Sequence, residues 1–148
     1  MFFADDSFVA IPYDYSIKGY RDVLERMYPF NVRQFILTSR NARNLIEHYG
    51  KQKYCISLSF ETELSLELMQ TINGYLHRIF TESIEPLRLS DITHLIGLLQ
   101  SLYYEDEVDI DSLCFEGEGT TFVIFQNGRV EVSSGEQERC LKELVLAC

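Results

Sequence analysis

The chain is poor in the features that usually betray a chemistry. Its cysteines, Cys55, Cys114, Cys140 and Cys148, lie 59, 26 and 8 residues apart, so none has the close spacing of a zinc knuckle or a dithiol redox motif. The three histidines, His48, His77 and His94, are dispersed, whereas hydrolytic zinc sites place two of them a turn apart. No apolar run approaches the roughly 18 residues of a membrane span. The start, Met1-Phe2-Phe3-Ala4-Asp5-Asp6, is apolar for four residues and then acidic, unlike the basic opening and apolar stretch of a secretory signal. Reduced thiols in a cytoplasmic setting, with no metal and no cofactor, are the expectation.

Clustered glycines are scarce too. The nearest approach to a phosphate-binding loop is Glu116-Gly117-Glu118-Gly119, whose carboxylates repel a phosphate, so a turn between strands is the simpler reading. Glu107, Asp109, Asp111 and Glu118 fall at positions one, three, five and twelve of a calcium loop. Ser112 stands at the sixth place, however, where such a loop needs glycine, and the following glycines oppose an exiting helix.

What the chain has is apolar material and an uneven charge. Across 148 residues, 46% are hydrophobic and 13% aromatic, enough for one globular domain over residues 1–148 without disulfides. The net charge of −10 is concentrated late: the final 48 residues hold three bases and eleven acids. Glu105 through Glu118 contain seven acids and no base, whereas Lys18 through Lys53 carry eight bases against three acids. Such asymmetry speaks to partners rather than to fold.

Periodicity predicts an α+β fold. Ser7–Ile11 before Pro12 reads as a short strand. Ile17, Tyr20, Leu24 and Met27–Tyr28 recur at helical spacing up to Pro29. Residues 32–37 suit either a strand or a short helix. Ser39 is placed to cap a helix that Gly50 ends. Over 53–60, Tyr54, Ile56, Leu58 and Phe60 alternate with Cys55, Ser57 and Ser59, as in a half-buried strand. Two long amphipathic helices follow, over 63–80 and, capped by Ser90, over 91–104, with Leu68, Ile72, Leu76, Leu95 and Leu99 as their core. Laid antiparallel about residues 85–86, they set Gly74 opposite Gly97 and His77 opposite His94.

Asn127-Gly128 is a strong hairpin signal. With that pair as a two-residue loop, strand 120–126 returns as 129–133, Phe125 facing Val130 and Val123 facing Val132. The first strand, apolar on both faces, belongs inside the mainly antiparallel sheet and the second at its edge. Ser134 and Gln137 form a capping-box pattern for a last helix.

For function, the bases Arg33, Arg40, Arg43, Lys51 and Lys53 near Phe35, Tyr49 and Tyr54 resemble a nucleic-acid stacking surface in composition. The overall charge opposes a polyanion, and no RNA-module motif is present. A catalytic cysteine would need a base beside it, and nothing local marks Cys55 as activated. The leading expectation is therefore a non-enzymatic binding protein, a small acidic inhibitor of the immunity-protein or antitoxin type that occludes the active site of a basic protein such as a nuclease toxin. The expected contact residues are Tyr103, Tyr104, Glu105, Asp106, Glu107, Asp109, Asp111, Phe115, Glu116 and Glu118, because aromatics add contact area that a solvating charge run does not need. The alternatives are a small dimeric secretion chaperone that binds an effector, and, from another class, an enzyme whose site is assembled from distant residues. A homodimer is compatible with the sequence; nucleic acid and membrane are not the expected partners.

Overall fold

The computed structural model describes residues 2–5, 8–10, 19–30 and 35–133. Its centre is a four-stranded antiparallel sheet in the order β3-β4-β5-β6, formed by Cys55–Phe60, Ile110–Gly117, Thr120–Phe125 and Val130–Val132. Register puts Ile56 opposite Phe115 and Leu58 opposite Leu113. Phe115 then faces Phe122, and Leu113 faces Ile124. All of these share one face, which the helices cover. The other face carries Cys55, Ser57, Ser59, Ser112, Cys114, Glu116, Thr121, Val123 and Glu131. Such apolar-in, polar-out alternation is expected of an antiparallel sheet packed on one side.

Before the sheet come β1, Phe2–Asp5, and β2, Phe8–Ala10, which among the described residues pair only with each other, then α1, Tyr20–Met27, and a 3-10 turn over Tyr28–Phe30 that contains Pro29. α2 runs from Ser39 to Lys51. Its N-cap is Thr38 rather than Ser39, since the Thr38 hydroxyl accepts from the Asn41 amide at 3.2 Å. Gly50 does not stop this helix. It lies inside the last turn, where an added β-carbon would stand 3.1 Å from Ile92 and 3.2 Å from Ile79, so it is the point at which α2 closes on the next two helices. The helix ends in a Schellman motif: the Lys53 amide donates to the Gly50 carbonyl and the Tyr54 amide to the Tyr49 carbonyl. Lys53 takes the left-handed conformation (φ 59°) that usually falls to glycine.

From β3 the chain enters a helical hairpin, α3 (Leu66–Thr81) and α4 (Glu85–Asp106), and returns as β4 beside β3. Ser65 caps α3 through the Leu68 amide. α4 begins six residues earlier than the expected 91, with Ile84 at the N-cap and Pro86 in its first turn. Proline is tolerated there because first-turn amides have no intrahelical partner. Ser90 is thus interior to the helix. Ile72, Leu76, Leu95 and Leu99 are buried as the stripe predicts, whereas Leu68 is only half-buried.

The core also has an aromatic centre that periodicity did not reveal. Tyr49 sits 4.6 Å from Phe115 and 5.0 Å from both Tyr54 and Phe122, centroid to centroid, and Phe115 stacks on Phe122.

β5 is central and β6 lies at an edge, but the hairpin joining them is shifted by one residue. Ile124, not Phe125, faces Val130, and Phe122 faces Val132. The loop has three residues: the Phe125 amide donates to the Arg129 carbonyl, and Gly128, at φ 80°, donates to the Phe125 carbonyl. A one-residue slip moves every side chain to the opposite face, so both valines of β6 join Phe122 and Ile124 on the covered side. The Phe35–Leu37 segment lies against this loop. The Leu37 amide donates to the Gln126 carbonyl at 2.9 Å, and a β-carbon at 128 would collide with the Phe35 carbonyl oxygen. The expected helix after Ser134 lies outside the described residues.

Candidate functional site: the acidic end of the sheet

The acidic run is not one loop. It comprises the last turn of α4, a linker and a whole strand, and ends in a tight turn. Tyr103 and Tyr104 are exposed on α4, their rings edge to face with centroids 5.1 Å apart. Glu105 and Asp106 close the helix, and Glu107 caps it in the left-handed region (φ 54°). Asp109 is half-buried and turned back on the chain: its carboxylate accepts from the Ile110 amide, and its carbonyl accepts from the Glu61 amide. The Asp111 carboxylate accepts from the Ser59 hydroxyl at 3.3 Å.

Beyond Asp111 the segment leaves this end. Phe115, expected as a contact residue, is fully buried in the aromatic core and has no surface to offer a partner. Glu116 points out from the polar face beside Cys55 and Thr121. Glu118 occupies the two-residue turn to β5, where Glu118 and Gly119 both have positive φ, as a type I′ turn requires. At about 3.3 Å per residue, Glu118 lies on the order of 20 Å along the strand from Asp111. Strand geometry over Ile110–Gly117 likewise rules out the calcium-loop arrangement. The structure therefore gathers Tyr103, Tyr104, Glu105, Asp106, Glu107, Asp109 and Asp111 at one end of the molecule and sends Glu116 and Glu118 toward the other.

The acids at the near end stand against their own helix. A helix C-terminus carries about half a negative charge and favours cations by about 0.3–1 kcal/mol each. The last turn of α4 has no base, and none of Glu105, Asp106, Glu107, Asp109 or Asp111 enters an ion pair among the described residues. Pairs found there include Arg21–Glu25, Lys51–Glu47, Arg78–Asp91 and Arg129–Glu131.

Other candidates dissolve in three dimensions. Arg33 lies outside the described residues. Of the aromatics near the other bases, Tyr49 and Tyr54 are buried and Phe35 is half-buried, which leaves no open ring platform among them for a nucleobase. Lys51 pairs with Glu47 along a shallow depression on α2 that Asn44 and His48 also line. His94 stacks on Tyr75 at 6.1 Å, not on His77. The facing-glycine arrangement is absent, since a β-carbon at Gly97 would meet nothing within 4 Å.

Cys55 and Cys114 are neighbours on the polar face. Burial, then the Glu116 carboxylate, then Cys55 itself push the Cys114 thiol above its ordinary pKa, which disfavours the nucleophilic thiolate. No group of three metal-binding side chains occurs among the described residues. No helix among them is long and apolar enough to cross a membrane. No protein-family model, curated protein or solved structure matches the chain.

Proposed function

We propose that the chain is an acidic protein-binding inhibitor of the immunity-protein or antitoxin type, whose acidic end covers the active site of a basic partner such as a nuclease toxin. The observation that carries this reading is the last turn of α4. It keeps exposed Tyr103 and Tyr104 beside carboxylates that have no ion pair among the described residues and that oppose the helix dipole. Charge kept at a cost to its own helix is better explained by something outside the helix. Two exposed tyrosines supply contact area of the kind enriched at interface hot spots, and the carboxylates steer a cationic surface toward them.

Capture from lysate of the native host with the full chain as bait, followed by mass spectrometry, tests the reading. A basic protein whose enzymatic activity falls on stoichiometric addition of the chain is the expected result. A neutral or acidic partner, or a basic one whose activity is unaffected, would contradict it.

A further inference from the structure

The two edges of the main sheet are unlike. β6 is three residues long and has Glu131 at its middle, the short and charged kind of edge that resists further pairing. β3 has six residues, Cys55 to Phe60, with neither a charge nor a proline among them. Its ladder with β4 contains one irregularity: Ser59 pairs with Ser112 and Phe60 with Ile110. The extra residue is therefore Asp111 on β4, and β3 itself stays unbulged. Glu61 donates its amide to Asp109 on the β4 side. By the alternation of an antiparallel ladder, the backbone groups of Cys55, Ser57 and Ser59 also face β4, and those of Ile56, Leu58 and Phe60 face the free edge. No described strand pairs with that edge.

We propose that β3 is a self-pairing edge through which two copies of this chain join antiparallel about a two-fold axis at Ser57, continuing the sheet across the dimer. The occupant is a second copy because the segment complements itself. Pairing about Ser57 sets Ile56 opposite Leu58, Tyr54 opposite Phe60 and Cys55 opposite Ser59. Apolar residues thereby stay on the helix-covered face and small polar ones on the other, as register in a one-sided sheet demands. The flanking charges agree. Lys53 and Glu61 are exposed and have no ion pair among the described residues. The same register brings Lys53 of each copy to Glu61 of the other, twice per dimer. Leu58 and Phe60, half-buried in the single chain, gain cover from Ile56 and Tyr54 of the second copy respectively. An isologous contact of this kind closes on itself and does not grow into a filament. It lies on β3 and owes nothing to the inhibitor reading.

Sedimentation of the full chain over a concentration series provides the test, with folding of each variant checked by near-UV circular dichroism. A reversible monomer–dimer equilibrium is expected. Lys53→Glu or Glu61→Lys alone sets like charges together twice and weakens dimerisation about tenfold, and the double variant Lys53→Glu/Glu61→Lys restores it. Ser57→Lys, which brings two ammonium groups together at the axis, weakens it further. A monomer at every concentration overturns the proposal. So does a dimer indifferent to these changes, or one that the double charge swap fails to rescue. Should Ser57→Lys prove unfolded, the charge-swap set decides alone.

Discussion

The ring of Tyr54 lies against the backbone of Gly117, so close that a β-carbon there would stand 2.7 Å from Cδ1 and 2.8 Å from Cγ. The two residues continue the β3–β4 register beyond Cys55 and Glu116, and glycine lets the aromatic ring fold over the strand. Tyr54 is buried and also packs edge to face against Tyr49 at 5.0 Å. Gly117→Ala therefore displaces a ring that has nowhere to go. We expect a loss of about 1–3 kcal/mol, in the range of over-packed cores, read as a lower urea midpoint. A neutral effect would mean that Tyr54 is free to swing aside.

Lys53 makes the opposite case. It occupies the left-handed cap of α2 at φ 59°, where a β-carbon costs about 1–2 kcal/mol and glycine costs nothing sterically. Against that stands the greater chain entropy glycine brings to the unfolded state. Lys53→Gly should leave stability unchanged or raise it by up to about 1 kcal/mol, and thermal melting below its self-association threshold checks this.

Burial separates two aliphatic positions that the sequence ranked together. Ile72 is fully buried and Leu68 is not. Ile72→Ala should cost about 2–5 kcal/mol, and Leu68→Ala distinctly less. Equal losses in denaturant titrations would contradict the packing described here.

Where local pattern and tertiary demand coincide, the sequence was legible. The alternation of Tyr54 to Phe60 marks β3 because one face meets helices and the other does not. The stripe through Ile72, Leu76, Leu95 and Leu99 marks the helical hairpin for the same reason. Elsewhere the same signal admits two geometries. Asn127-Gly128 serves a two-residue loop or the second half of a three-residue one, and the contact of Gly128 with Phe35 belongs to tertiary structure. β4 is hidden in the sequence because Asp111 interrupts its period and because the surrounding acids mask the alternation of Leu113 and Phe115. Counting acids located Glu105 to Asp111, but only the fold separates them from Glu116 and Glu118 and buries Phe115.

The thiol on the polar face has a pH signature. Cys114 is held above the ordinary thiol pKa of 9.0, chiefly by burial. A raised pKa means that the folded state keeps its proton longer than the unfolded one. The associated stability is therefore complete below about pH 9 and declines as pH rises through the folded-state value. Stability measured from neutral to alkaline pH should fall less in Cys114→Ala than in the parent over that alkaline window. Identical slopes would show that another group titrates.

The central claim is that the end of α4 and its linker is a surface made for a cationic partner. The most direct measurement is association kinetics with the captured partner over a salt series, comparing the parent with a variant in which Asp106, Glu107, Asp109 and Asp111 become Asn or Gln. Exposed ion pairs are worth about 0–1 kcal/mol each, so the effect should appear mainly in the association rate. The account predicts slower association with a flattened salt dependence, without thermal destabilisation of the free chain, since Asp106 and Glu107 oppose the helix dipole and asparagine at 109 and 111 keeps an oxygen to accept from the Ile110 amide and the Ser59 hydroxyl. Unchanged kinetics at every salt concentration would contradict it and leave the acids as solvated surface.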